Sequence, residues 1–155
     1  MLDLNPDYIA GFVDGEGCFC VAFCKTNRPL CEVRLMFEIE LRADDEPTLR
    51  RIQQTLDCGN IYRLEYARYA KWQSHVKLKV SNFEDIYTKV IPFFKANPLQ
   101  AKKRFDFVKF CLIADMMKRK EHLTLEGVDR IREIKHKDSL DALDTHVQWG
   151  AAEIT

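Results

Sequence analysis

The sharpest chemical signal in the chain is a short run, Asp14-Gly15-Glu16-Gly17, placed where an apolar helical segment stops. A carboxylate at the C-terminal end of a helix faces the negative pole of the helix dipole. That is an unfavourable place for an acid unless something positive shares it. A hard divalent cation meets the need, because such ions take carboxylate and backbone carbonyl oxygens. The same residues also read as a surface glutamate after a glycine helix stop, and by themselves they leave both readings open. A calcium loop fits less well, since the further ligands and the downstream bidentate acid are missing.

The six cysteines, at positions 18, 20, 24, 31, 58 and 111, offer less. None forms a Cys-x-x-Cys pair and no histidine follows at finger spacing, so no zinc site is expected. Cys18, Cys20 and Cys24 fall on one face of an expected strand, where neighbours do not readily pair with each other. The N-terminus, MLDLNPDYIAG, has no basic signal region and no transit pattern. All six are therefore expected to be thiols in a reducing compartment.

The chain has 155 residues, 24 Lys+Arg and 24 Asp+Glu. Nucleic-acid binders usually carry an excess of basic residues, so any basic surface here must be local. The charge is uneven: residues 100–120 read QAKKRFDFVKFCLIADMMKRK, and residues 38–46 read EIELRADDE. The length and the 46% hydrophobic fraction suit one soluble domain over 1–155, with a core at about 5–137 and a helical tail at 138–155. No window of 18 consecutive apolar residues exists, which excludes a helical membrane span.

The elements that must position these groups follow from caps and periodicity. Asn5-Pro6-Asp7 starts a helix that runs through Val13 and is broken by the glycines of 14–17. Residues 18–26 alternate, with Phe19, Val21 and Phe23 on one face, and Asn27-Arg28-Pro29 turns the chain. In 31–42, Val33, Leu35, Phe37, Ile39 and Leu41 face inward. That is the pattern of a half-buried antiparallel strand. Asp44-Asp45-Glu46-Pro47 opens a second helix with Leu49, Ile52 and Leu56, ended by Cys58-Gly59-Asn60. A second hairpin joins 60–69 to 72–81 near Ala70-Lys71, with Val76, Leu78 and Val80 inward. Asn82 caps a third helix over 83–95 with Phe83, Ile86 and Val90 inward, and Asn97-Pro98 breaks it. A fourth helix at about 98–119 carries Leu99, Phe105, Val108 and Leu112. Thr124 caps a fifth with Val128, Ile131 and Ile134, and Asp138 or Ser139 caps a short last one. The order αββαββα predicts an α+β fold: a four-stranded antiparallel sheet backed by helices, with additional C-terminal helices.

Residues 5–20, NPDYIAGFVDGEGCFC, resemble the motif of the LAGLIDADG homing endonucleases, with Tyr8-Ile9-Ala10-Gly11-Phe12-Val13-Asp14-Gly15-Glu16 at its centre. FEIELRADDEPTLRRIQQTLDCGNIY, VIPFFKANPLQAKKRFDF and KEHLTLEGVDRIREIK also resemble family segments, so the likeness covers about residues 5–137. One motif copy implies the homodimeric type. The resemblance implies that Glu16 is the catalytic acid and that Gly15 supplies a metal-binding carbonyl. The ion is Mg²⁺, with Mn²⁺ as a substitute and Ca²⁺ binding without cleavage. It also implies that the motif helices cross at the dimer interface. Ala10, Gly11 and Gly15 allow close approach there, and Asp14 belongs to that interface. Some relatives carry a basic residue where Asn97 stands here; others have a lysine matching Lys103, which is preferred, with Lys102 as neighbour. A glutamine that organises water in some relatives corresponds to Leu41 or Arg42, so that auxiliary role is not carried over.

The implied function is a double-strand break in a long, roughly palindromic DNA target, leaving short 3′ overhangs. The partners implied are double-stranded DNA and a second copy of the chain, without a membrane. A bacterial, chloroplast or mitochondrial intron would fit as origin. A non-cleaving binding protein or intron RNA maturase on the same scaffold is the alternative. The outward strand face would lie in the major groove: Cys20, Ala22, Cys24, Glu32, Arg34, Met36, Glu38, Glu40, Tyr62, Tyr66, Arg68, His75, Lys77 and Lys79. Arginine can read guanine and glutamate can accept from cytosine N4. Three glutamates on one strand would repel phosphate, which suggests base readout; an ordinary wet sheet face is the alternative reading.

Overall fold

The computed structural model describes residues 3–65 and 73–137. Its first helix, α1 (Pro6–Glu16), starts where expected: the Asn5 side chain accepts the Asp7 N–H at 2.8 Å, and proline fills the first turn. Ile9, Ala10 and Val13 are buried. The helix does not break at Gly15 but runs through Glu16 to a cap at Gly17, whose backbone is already extended. A Cβ on Gly17 would lie 2.6 Å from Val13 Cγ1 and 3.1 Å from the Val13 carbonyl oxygen. Gly17 is therefore the glycine that the helix-to-strand junction requires.

Strand β1 (Gly17–Cys24) pairs antiparallel with β2 (Glu32–Arg42), which pairs with β4 (His75–Val80), and β4 with β3 (Asn60–Leu64). The four strands form one antiparallel sheet, as expected, in the order β1-β2-β4-β3. All five inward residues of β2 are buried, as are Val76, Leu78 and Val80 of β4. Helix α2 (Glu46–Leu56) follows a single 3-10 turn and buries Leu49, Ile52 and Leu56. It ends on Asp57 in the left-handed region, and Gly59, with φ of 89°, completes the turn into β3. Tyr66, Arg68 and the turn near Ala70-Lys71 lie outside the described residues.

The third helix, α3 (83–96), is continuous but widened at Ile86–Val90 into a π-turn, where the Ile91 N–H reaches the Ile86 carbonyl. Pro92 follows immediately. Lacking an N–H and crowding the carbonyl four residues back, a proline disturbs the α ladder at this point. Asn82 caps the helix through the Asp85 N–H.

Helix α4 (Lys103–Lys118) starts later than the expected 98, because 98–102 forms a loop held by other groups. Its buried face is also broader than expected: Phe107, Phe110, Cys111, Ile113, Ala114, Met116 and Met117 are buried beside Val108, while Phe105 and Leu112 are half-buried. Helix α5 (Leu125–His136) is capped by Thr124 and buries Val128 and Ile131. The expected last helix after Asp138 lies outside the described residues. Between sheet and helices, the rings of Phe19, Phe37, Phe94, Phe107 and Phe110 form a cluster with centroids 5.0 to 6.0 Å apart. This cluster seats α4 on β1 and so holds the start of α4 beside the end of α1. No helix among the described residues is long and apolar enough to cross a membrane.

Candidate functional site

Glu16 is the last residue of α1 and is exposed. The helix shows two different sides. Ile9, Ala10 and Val13 turn into the chain's own core; Tyr8, Gly11 and Gly15 face outward. A Cβ built on Gly11 or Gly15 meets no heavy atom within 4 Å. Nothing within the described residues of the chain demands a glycine at either position. Ala10, read from the sequence as part of the same small-residue set, is only 5% exposed and belongs to the inner side.

Asp14 has an intramolecular task. Its carboxylate accepts the Gln100 N–H at 2.7 Å and the Ala101 N–H at 3.2 Å, tying down the loop before α4. Lys103 opens α4, and its ammonium donates to the Val13 carbonyl oxygen at 3.2 Å. That oxygen also accepts the Gly17 N–H. The cation that the C-terminal pole of α1 calls for is thus supplied by Lys103. Lys102 is exposed beside it. Asn97 stands at the end of α3, where its side-chain amide donates to the Phe93 carbonyl at 3.0 Å. The fold brings Lys103 to the helix end that carries Glu16.

The donor set suits a hard cation. Glu16 offers a carboxylate, and the Gly15 carbonyl lies in the last helical turn, where no intrahelical N–H can reach it. Among the described residues, no group of three or more His, Cys, Asp or Glu converges to hold an ion. Two protein oxygens are too few to bind a divalent ion firmly. The rest of its shell would be water, phosphate oxygens, or groups from a second chain.

The outward face of the sheet is set by register. Cys20, Ala22 and Cys24 of β1 stand opposite Met36, Arg34 and Glu32 of β2. Glu38 and Glu40 stand opposite Lys79 and Lys77 of β4, and Tyr62 of β3 lies beyond Lys77. The Lys77 ammonium is 3.4 Å from Glu38 and 3.7 Å from Glu40, Lys79 is 3.9 Å from Glu38, and His75 Nδ1 is 3.3 Å from Glu40. Arg34 bonds Glu32 at 3.0 Å, and the guanidinium holds the Glu32 carboxyl below its ordinary range. Each of the three glutamates therefore has a cation beside it, so the phosphate repulsion expected from them is largely cancelled. Tyr62, 48% exposed, adds an aromatic surface.

Two features were not singled out beforehand. One is the tie from Asp14 to the α4 loop, which links positions 86 residues apart and leaves no local trace. The other is the lysine–glutamate ladder; the alternation of β2 and β4 was visible, but only the register brings the charges together. No disulfide joins any of the six cysteines.

Comparison with known proteins adds the following. A family model described as LAGLIDADG endonuclease matches residues 9–114. "Probable intron-encoded endonuclease 3" of Neurospora crassa is 33% identical over 83% of this chain and 23% of its own length. "Probable intron-encoded DNA endonuclease 1" of Mycosarcoma maydis is 34% identical over 65% of this chain and 34% of its own length. The chain thus spans about a quarter to a third of these curated relatives. Among solved structures, the homing endonuclease I-TnaI matches at 34% identity and a TM-score of 0.76, over 93% of this chain and 96% of that one. The I-LtrWI LAGLIDADG homing endonuclease bound to target DNA matches with a TM-score of 0.79 at 32% identity, over 91% of this chain and 46% of that one. I-SmaMI, bound to an uncleaved DNA target with calcium ions, matches at 33% identity and 0.76, over 84% and 43%.

Proposed function

The chain belongs to the LAGLIDADG endonuclease family, and from that premise we propose that it is a homodimeric, site-specific endonuclease that makes a double-strand break in a long, roughly palindromic DNA target. The observation that carries this reading is the composition of the exposed side of α1. Gly11 and Gly15 lie there in open space, and Glu16 ends the same helix. A second α1 crossing at these glycines would bring two Glu16 carboxylates together at a two-fold axis. An isologous dimer then matches the symmetry of a palindromic site.

Within this reading each residue has a distinct part. Glu16 and the Gly15 carbonyl would hold Mg²⁺, with Mn²⁺ able to replace it and Ca²⁺ binding without turnover. A bound divalent ion supplies Lewis-acid polarisation of the phosphate and a more acidic water. Lys103, held at the same helix end by Val13, stabilises negative charge on the scissile phosphate. Asp14 fixes the loop that places Lys103. The sheet face lies in the major groove, where Arg34 and the glutamates meet base edges and Lys77 and Lys79 exchange their carboxylate partners for phosphates.

The test is selection of cleaved sites from a randomised duplex library with Mg²⁺ present. The expected outcome is one long motif with approximate two-fold symmetry and cleavage on both strands. Specific binding without cleavage would favour a binding protein on this scaffold.

A further inference from the structure

Strand β2 is paired on both sides along only half its length. Phe37–Arg42 lie between β1 or its junction and β4, whose last paired residue is Val80, while Glu32–Met36 pair with β1 alone. The second edge of 32–36 has no backbone partner among the described residues. No proline interrupts this stretch and its register with β1 is regular, so the edge is shaped to accept another strand. It lines an open cavity of about 780 Å³. The other walls include Phe83 at the start of α3, Met117 and Lys120 at the end of α4, and Leu123 in the 3-10 turn that follows.

The lining has a net sign. Glu32 is held by Arg34 at 3.0 Å, so that pair brings no net charge. Burial, with Lys120 beside it, keeps the His122 ring below its ordinary range and so uncharged at neutral pH. What remains is positive. Lys79 is partly exposed and lies 3.9 Å from Glu38, a carboxylate it shares with Lys77. Arg28 and Lys120 are exposed and have no ion pair among the described residues. Lys120 also has a φ of 64°, and its N–H returns to the Met117 carbonyl to close α4. Helix ends of this left-handed kind commonly take glycine, yet a long cation stands here. Leu123, 61% exposed, adds apolar surface at the same place.

We propose that this notch is a docking site for an extended, acidic segment of another protein, which adds to the sheet along residues 32–36 of β2. The site does not include Glu16, and the proposal does not depend on the endonuclease reading.

In such an addition, main-chain hydrogen bonds supply affinity and alternate side chains supply specificity. Five residues of strand span about 17 Å, which a segment of about five residues matches. Alternate side chains of the added strand point to opposite faces of the sheet. Lys79 belongs to the outward face, and Phe83, Met117 and Leu123 to the helical layer behind the sheet. A segment that alternates acidic and apolar residues meets both. A nucleic-acid strand would answer the cations but not the edge, because a phosphodiester backbone has no N–H to give to the free carbonyls of β2.

The experiment uses fluorescence anisotropy of the full chain with a labelled, capped seven-residue peptide that alternates glutamate and valine. Saturable binding in the micromolar range, weakened by salt, is expected. A lysine–valine peptide should bind at least tenfold more weakly. The acidic peptide methylated on its backbone nitrogens keeps its charge but cannot donate to the edge, and should also lose at least tenfold. Arg28→Ser combined with Lys120→Gly should weaken the acidic peptide at least tenfold. Glycine suits the left-handed position, so thermal unfolding of this variant should come no earlier than that of the unaltered chain. Absence of saturable binding, equal affinity for the methylated peptide, or equal affinity of the double variant overturns the proposal. So does displacement of the peptide by a short single-stranded oligothymidylate that binds more tightly, which would make the notch a polyanion site.

Discussion

Replacing Lys77 and Lys79 together by alanine tests whether the charge ladder of the sheet grips DNA. Each lysine lies 3.4 to 3.9 Å from a glutamate, too far for a good hydrogen bond, and both side chains remain partly exposed. Pairs of this kind are worth about 0–1 kcal/mol, so exchanging a carboxylate for a phosphate costs little. Each phosphate contact on duplex DNA contributes about 0.9 to the slope of log affinity against log salt. Two lysines per chain, doubled by a two-fold axis, should flatten the slope by about 3.6. Between about 50 and 200 mM salt, the advantage of the unaltered protein should therefore shrink roughly a hundredfold. A companion protein carrying Glu38→Gln and Glu40→Gln should bind a non-target duplex more tightly, because the lysines no longer have carboxylates to leave and no base contact is lost there. The assay is fluorescence anisotropy of a labelled target duplex in Ca²⁺ across a salt series. A slope unchanged by the lysine replacements would refute the argument, because those side chains would then be holding glutamates and not phosphates.

Gly11→Leu should leave the protomer folded, and should stabilise it by about 0.8 kcal/mol through helix propensity, because open space surrounds the position. The same change should convert the dimer to a monomer in sedimentation analysis. Gly17→Ala should destabilise by about 1–3 kcal/mol in urea unfolding, since the added methyl meets Val13 at 2.6 Å. Phe94→Ala, at a fully buried ring packed on Phe19, Phe37 and Phe107, should cost about 3–5 kcal/mol in the same measurement.

The parts legible in the sequence were those governed by local rules. Asn5, Asn82 and Thr124 cap helices where their side-chain oxygens can reach the second or third N–H of the first turn. The alternation of β2 decided which residues would be buried because one sheet face is covered and the other is not. Helix α4 was harder because FVKFCLIADMM is apolar on nearly every side, and periodicity cannot choose a face when there is no polar stripe. Its start was misplaced for a different reason: the N–H groups of Gln100 and Ala101 bond Asp14, a partner far away in sequence. At the site, the motif pointed to Glu16, and of the two auxiliary candidates Lys103 bonds the end of α1 while Asn97 bonds back within α3. The glycines divided their roles in a way that spacing could not reveal. Gly17 serves the protomer's own junction, whereas Gly11 and Gly15 face outward.

Glu16→Gln puts the proposed nuclease centre to the test. The glutamine keeps the shape of the side chain and removes the anionic ligand at the end of α1. The sheet face and its phosphate contacts are untouched. The measurement is a gel shift in Ca²⁺ beside a cleavage assay in Mg²⁺ on the same DNA. Near-normal specific binding and no cleavage are expected. A Glu16→Gln protein that still cuts at close to the unaltered rate would place the catalytic acid elsewhere and contradict the assignment of this helix end as the nuclease centre.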